Sequence, residues 1–168
     1  MKKVVALVHD IFEDLELMYP VIRMQEEGIQ VTLAGEQAGH VYLGKHGYPC
    51  KSEQAFKNLK SADFDGMLIP GGFAPDKLRR IPEVLKLVQE MDSQKKMIAF
   101  ICHGGWVPIS AKILKGKKAT GTTAIKDDLE NAGAIWVDAP LVIEGNLISS
   151  RTPIDLPQFG KAIAEALK

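Results

Sequence analysis

The chain has no surplus of charge of either sign: 21 Lys and Arg stand against 21 Asp and Glu in 168 residues. Nucleic acid and acidic membrane surfaces both reward a basic excess, so this balance argues against either partner. No run approaches the ~20 apolar residues of a membrane span. Cysteine is scarce, with only Cys50 and Cys102. Two thiols make no disulfide framework and fit a reducing cytoplasm. The four histidines, His9, His40, His46 and His103, lack paired ligand spacing, and the cysteines are too far apart for a CxxC site. No metal is therefore expected. The PGG and GKHG segments have neither the length nor the GK[ST] ending of a phosphate loop, and no cofactor is expected. The start, MKKVVALVHDIFED, meets acidic residues without a small-residue cleavage site, so it reads as a first strand rather than a leader.

What is present is an ordinary folding composition, 46% hydrophobic and 25% charged, long enough to bury roughly two-thirds of the surface exposed by the unfolded chain. No linker divides it, and residues 1–168 are expected to form one domain. Lys3 to His9, Gln30 to Gly35, Asp65 to Ile69 and Met97 to Cys102 are short apolar runs suited to strands covered on both faces. Asp14 to Glu27 reads as a helix closed by Gly28, with Pro20 expected to kink or restart it. Val84, Leu87, Val88 and Met91 share one face of a helix beginning near Pro82. Trp106 to Leu114, Ile125 to Ala132, and a stripe of Leu156, Phe159, Ile163 and Leu167 supply three more helices. His40 to Lys51 reads as an irregular hairpin, and Gly145-Asn146 as a turn between two late strands. Strands alternating with helices predict a three-layer αβα sandwich around a mostly parallel sheet.

In such sheets ligands collect at the carboxyl ends of the strands. Cys102, the pair Gly71 and Gly72, and the acids Glu13 and Glu16 all fall at that edge. A sharp strand-to-helix turn would lift Cys102 out of the core and aim free backbone N–H groups at it, lowering the thiol's pKa. Gly104 supplies the downstream glycine of a nucleophile elbow, but Phe100 occupies the upstream position of the G-x-S-x-G pattern. A strand-end cysteine is equally compatible with inert packing; His103 and the paired glycines are features that packing does not require. Gly71 and Gly72 either end a strand or present N–H groups as an oxyanion hole. Glu13 and Glu16 either form a solvated first helical turn or face the thiol. In the second case the like charges repel unless a carboxyl is protonated and donates to sulfur.

The segments FEDLELMYP, LIPGG, AFICHGG, IKDDLENAGA and SSRTPIDL, in that order, resemble the ThiJ/PfpI superfamily, and within it the PfpI-type intracellular protease branch. The resemblance spans essentially the whole chain. It implies a flavodoxin-like sandwich, related to the class I glutamine amidotransferase domain, with Cys102 as nucleophile on a strained elbow. It further implies that Glu16 contacts the cysteine and that Glu13 is a second acid of the pocket. An acidic residue from a neighbouring subunit would hold His103; the matching position is Asp76, where the branch carries glutamate. The backbones of Gly71, Gly72 and His103 become oxyanion donors. Lys45 and Tyr48, in GKHGYP, fall near the pocket entrance, and Arg151 either anchors its loop near the site or pairs with a surface carboxylate. The chain departs from the branch at Gly105-Trp106, where a proline often follows CHG, and at Thr122, where an aromatic residue or histidine is common; both positions are expected at the pocket floor.

The implied activity is cysteine-dependent chemistry on a small reactive carbonyl, as a glyoxalase or deglycase, or on an amide, as an intracellular peptidase, in stress protection. The alternative is a redox-sensing or chaperone-like stress protein whose Cys102 is oxidised. A small-molecule carbonyl or peptide substrate, self-association as a dimer or hexamer with the site near a subunit boundary, and a cytoplasmic location complete the expectations.

Overall fold

The computed structural model describes residues 1–168. In chain order β1 (Lys3–Leu7), α1 (Asp14–Glu26) and β2 (Gln30–Gly35) are followed by a hairpin of β3 (Val41–Leu43) and β4 (Pro49–Lys51). Then come β5 (Gln54–Ala55), β6 (Gly66–Ile69), α2 (Ala74–Leu78), α3 (Pro82–Ser93), β7 (Met97–Ile101) and α4 (Trp106–Ser110). The chain ends with β8 (Lys118–Ala119), α5 (Lys126–Asn131), β9 (Ile135–Trp136), β10 (Val142–Glu144), β11 (Leu147–Ser150) and α6 (Leu156–Ala166).

Seven strands form the central sheet in the order β10-β11-β7-β6-β1-β2-β5. Only β10 and β11 pair antiparallel, through the Gly145-Asn146 turn. Taken in chain order, β1, β2, β6, β7 and β11 stack as 2-1-3-4-5, which is the flavodoxin order, with its crevice between the first and third strands. The register sets Val5 beside Thr32 on one side and Met67 on the other, and Leu68 beside Ala99. Every residue of β6 and β7 is buried, as expected for strands covered on both faces. The β1-to-β2 and β6-to-β7 crossovers run in opposite directions across the sheet, so right-handed connections put α1 and α3 on opposite faces. α1 packs with α6, and α3 with α4. No helix is long and apolar enough to cross a membrane.

Several elements differ from the sequence reading. α1 runs through Pro20 without a restart, although the missing N–H forfeits the bond normally given to the Glu16 carbonyl. α4 stops at Ser110 rather than continuing to Leu114, because the chain turns through Lys112 at φ 60°. Cys102 lies just past the end of β7, in a 3₁₀ turn of CHGG. The five-residue α2 and two-residue β5 were too short to give a periodic signal.

Candidate active site

The turn after β7 is strained where the chemistry would need it. Cys102 adopts φ 59°, a conformation that costs an L-residue roughly 1–2 kcal/mol relative to the right-handed one. Its neighbours hold it there. Thr122 N–H donates to the Cys102 carbonyl at 3.4 Å, and a Cβ on Gly121 would come within 2.9 Å of that same oxygen. Gly104 lies so close to β6 that an added Cβ would meet the Ile69 carbonyl at 2.7 Å. The result is a nucleophile elbow built without the upstream glycine, with Phe100 buried in its place.

Two side chains converge on the sulfur, and a third lies behind them. Glu16, fully buried, accepts from Gly71 N–H at 2.8 Å through Oε2. Its Oε1 is buried with no hydrogen-bond partner, and Cys102 lies beside the carboxyl. Glu13 caps α1, its Oε2 accepting from Glu16 N–H at 2.8 Å, which places a second buried carboxyl beside the first. His103 returns from the tight turn so that Nδ1 lies 3.5 Å from Cys102 Sγ.

Burial, followed by repulsion from Glu13, pushes Glu16 up to about 8, so it holds its proton at neutral pH. The sequence reading expected a thiol with a lowered pKa, and burial acts against that. Burial, reinforced by Glu16, pushes Cys102 up to about 12, while the N–H groups of His103 and Gly72 pull it down. The turn's donors are present, but desolvation outweighs them, and the resting sulfur keeps its proton. His103 is held below its ordinary value by burial and then by Lys45. A neutral imidazole therefore stands against a thiol, and transfer of the thiol proton to it must accompany bond formation at sulfur.

These groups open onto a cavity of about 350 Å³ lined by Glu13, Glu16, Lys45, His46, Gly72, Phe73, Cys102, His103, Trp106 and Pro153. A larger hollow of about 610 Å³ lies at the opposite end of the sheet, between Lys2, Lys96 and Asn146, and contains neither cysteine nor histidine. The remaining candidates are distributed unevenly around the smaller cavity. Gly72 contributes its N–H, at φ 78° where a Cβ would strike the Ile11 carbonyl at 2.4 Å. Gly71 does not present a free donor, since its N–H is committed to Glu16. Thr122 and Tyr48 are not in the lining. Thr122 tethers the elbow instead, and Tyr48 is exposed with its N–H on Asp14. Gly105 packs against Ile125, Leu129 and Phe100 below the floor. Asp76 makes an ion pair with Arg80 and reaches no histidine within the chain. Arg151 meets both of its alternatives: it pairs with Asp155 and Asp138, and thereby fixes the loop that brings Pro153 to the cavity wall.

Trp106 lines the cavity; His46, Phe73 and Pro153 also line it and were not assigned to the lining from sequence. His46 is the most instructive. Asp14 accepts from the N–H groups of His46 and Tyr48 at 2.9 and 3.0 Å, swinging the β3–β4 hairpin over the elbow. This also brings ligand atoms of Glu13, Asp14 and His46 within 4.8 Å of one another. They are the residues that could offer ligands to a cation, but the Asp14 oxygens already serve as the hairpin's anchor. The contact joins residues 32 positions apart, which local spacing does not reveal.

A flavodoxin-ordered sandwich with a strained cysteine between a buried acid and a histidine defines a class of elbow-cysteine proteins, and comparison with known proteins narrows it. The DJ-1/PfpI family model matches residues 2–166. Deglycase TK1284 of Thermococcus kodakarensis is 43% identical over 166 residues, covering 99% of each chain. Deglycase PfpI of Pyrococcus furiosus is 40% identical with the same coverage. A crystal structure of a two-domain protein from Anabaena variabilis, containing DJ-1/ThiJ/PfpI-like and ferritin-like domains, superposes with a TM-score of 0.98 at 40% identity. That match covers 99% of this chain and 48% of the other. The chain belongs to the DJ-1/PfpI family.

Proposed function

We propose that this chain is a cysteine-dependent enzyme of reactive-carbonyl chemistry, converting α-oxoaldehydes such as methylglyoxal, free or as adducts of amines, to hydroxy acids. The observation that carries this reading is the placing of Glu16 and His103 around Cys102 inside one cavity, where burial favours the neutral form of each. The deglycase names of relatives at about 40% identity support it.

The steps follow from the protonation states. As sulfur attacks the aldehyde carbon, His103 Nδ1 takes the thiol proton, a carbon–sulfur bond forms, and the carbonyl electron pair moves to oxygen. The N–H groups of Gly72 and His103 receive that oxyanion, and the proton returns to give a hemithioacetal. His103 then removes the proton from the former aldehyde carbon while Glu16 protonates the neighbouring carbonyl oxygen. Return of the first proton to the neighbouring carbon, as the hydroxyl on the former aldehyde carbon gives its own proton to Glu16, leaves a thioester; the proton that Glu16 gave stays as the hydroxyl of the product. Water hydrolyses it to the hydroxy acid and the free thiol. One carbon is oxidised as its neighbour is reduced, so no external oxidant is needed.

Peptide hydrolysis would use the same thiol but requires an acid to protonate the departing amine. Within the chain no carboxylate orients His103 for that task, so carbonyl chemistry is the better-supported reading. Self-association, as a dimer or hexamer, belongs to the proposal. Leu15, Tyr19 and Ile22 are exposed along one face of α1, and Ile11, Phe73 and Ile154 are exposed around the cavity mouth; sedimentation velocity tests it. A role in stress protection, and the cytoplasmic location, rest on the same reading. The central experiment is turnover of methylglyoxal and of methylglyoxal-treated Nα-acetyl-lysine by the wild type and Cys102→Ala. Loss of lactate formation in a variant with unchanged circular dichroism is expected, and undiminished turnover would overturn the mechanism.

A further inference from the structure

The side chain next to the nucleophile poses a positioning problem. An imidazole that exchanges protons with sulfur must present one particular nitrogen, and in most sites a hydrogen bond to the other nitrogen enforces this. Within the chain His103 makes no such bond: its one polar contact is with Cys102, and Asp76 is tied to Arg80. What touches the ring instead is Trp106, edge to face, with centroids 5.0 Å apart and planes at 65°. The indole is itself held from two sides. Its Nε1–H donates to Asp128 Oδ2 at 2.9 Å, and the Arg79 guanidinium lies 5.2 Å from its ring centroid. Arg79 is fixed in turn by a 2.9 Å bond from Nε to Ser110 Oγ.

We infer that Trp106 is a positioning residue for His103 supplied by the chain itself, fixing the imidazole with Nδ1 toward Cys102 through a brace that runs from Asp128 and Arg79 into the indole ring. An edge-to-face contact supplies direction as well as area, and the cation and the carboxylate settle the indole plane that supplies it. Asp128 is exposed on α5 and lies outside the cavity lining, so any effect of its removal on the site must pass through Trp106. The charged and titratable groups facing His103 are Cys102 on its own turn, Glu13 and Glu16 from the start of α1, Lys45 and His46 from the hairpin, and Arg79 across the indole.

The inference rests on His103 acting as acid and base, and the test separates the two ideas by including readouts that need no turnover. The His103 ring protons are followed by NMR titration, and Cys102 by its rate of alkylation with iodoacetamide, in the wild type, Trp106→Leu, Trp106→Phe, Asp128→Ala and Asp128→Asn. Trp106→Leu admits water to the ring, so its titration moves up toward the ordinary histidine value. kcat for methylglyoxal falls roughly 10–100-fold with KM changed less than threefold, since misplacing an acid–base group costs the chemical step. Trp106→Phe retains the edge contact and recovers most of this loss. Asp128→Ala falls in between, and Asp128→Asn, which keeps an acceptor, restores the wild-type profile. A rise in KM at constant kcat would make Trp106 a wall of the pocket and overturn the inference, as would an unmoved His103 titration in Trp106→Leu. Should the wild type prove inactive on every carbonyl tested, the NMR titration and alkylation rates still decide the positioning role.

Discussion

Replacing Glu16 by glutamine should stabilise the protein at neutral and mildly alkaline pH. The carboxyl is fully buried and is pushed from 4.5 up to about 8. Between those values the folded chain keeps a proton that the unfolded chain has released. Stability therefore falls as pH rises through this window, by about 1.4 kcal/mol per pH unit for one such group. The full window corresponds to ~5 kcal/mol, reached above pH 8 and absent below pH 4.5; relaxation around the buried group would reduce the observed figure to a few kcal/mol. Glutamine has nearly the same shape, its carbonyl can still accept from Gly71, and it does not titrate. Urea unfolding of the wild type and Glu16→Gln at pH 4.5, 6, 7 and 8 should show near-equal stability at the acidic end. The variant's advantage should then widen steadily, while kcat collapses. A stability difference that stays constant over this range would refute both the raised value and the neutral-acid role derived from it.

Above pH 8, where Glu16 ionises, Cys102 in Glu16→Gln should alkylate faster than in the wild type, because the carboxylate that helps raise the thiol is gone; equal rates would remove that coupling. Gly72→Ala should cost ~2–4 kcal/mol, since it forces a side chain into φ 78° against the Ile11 carbonyl; an unshifted urea midpoint would contradict the close approach. Asp155 is buried and receives the Arg151 backbone and guanidinium, whereas Asp138 is exposed. Asp155→Ala should therefore lose ~2 kcal/mol and Asp138→Ala less than ~1 kcal/mol, and similar losses would show that burial does not separate the pairs. Asp14→Ala should loosen the tip of the hairpin, which keeps its main-chain bonds to Ile11 and Phe12, giving faster proteolysis around residues 44–48 and a higher KM without loss of the core's protection from hydrogen exchange.

Strands buried on both faces leave continuous apolar runs, and α3 leaves an i, i+3, i+4, i+7 pattern; these local signatures made the sheet and its layers legible. The elbow was legible in outline because CHGG places a thiol, an imidazole and two small residues at a strand end. Its electrostatics were not. Whether backbone donors or desolvation governs the thiol depends on how deeply the turn sits, and burial of Cys102 proved to be the larger effect. Gly71 illustrates a second limit: its N–H was expected to face a substrate oxyanion but meets Glu16, 55 residues away. Trp106 was visible only as a departure from a family pattern, because its role depends on Arg79 and Asp128, which approach from α2 and α5. Side chains recruited by long-range packing leave no trace in local spacing.

The β3–β4 hairpin contributes Lys45 and His46 to the cavity while adding no strand to the central sheet. It is tethered by the Asp14 carboxylate and by main-chain bonds to Ile11 and Phe12, which hold its backbone and leave its side chains free to vary. Mutational drift there can alter what enters the cleft and leave the reacting thiol and its buried acid intact, and descendants of one scaffold could diverge in preferred metabolite while inheriting the same chemistry.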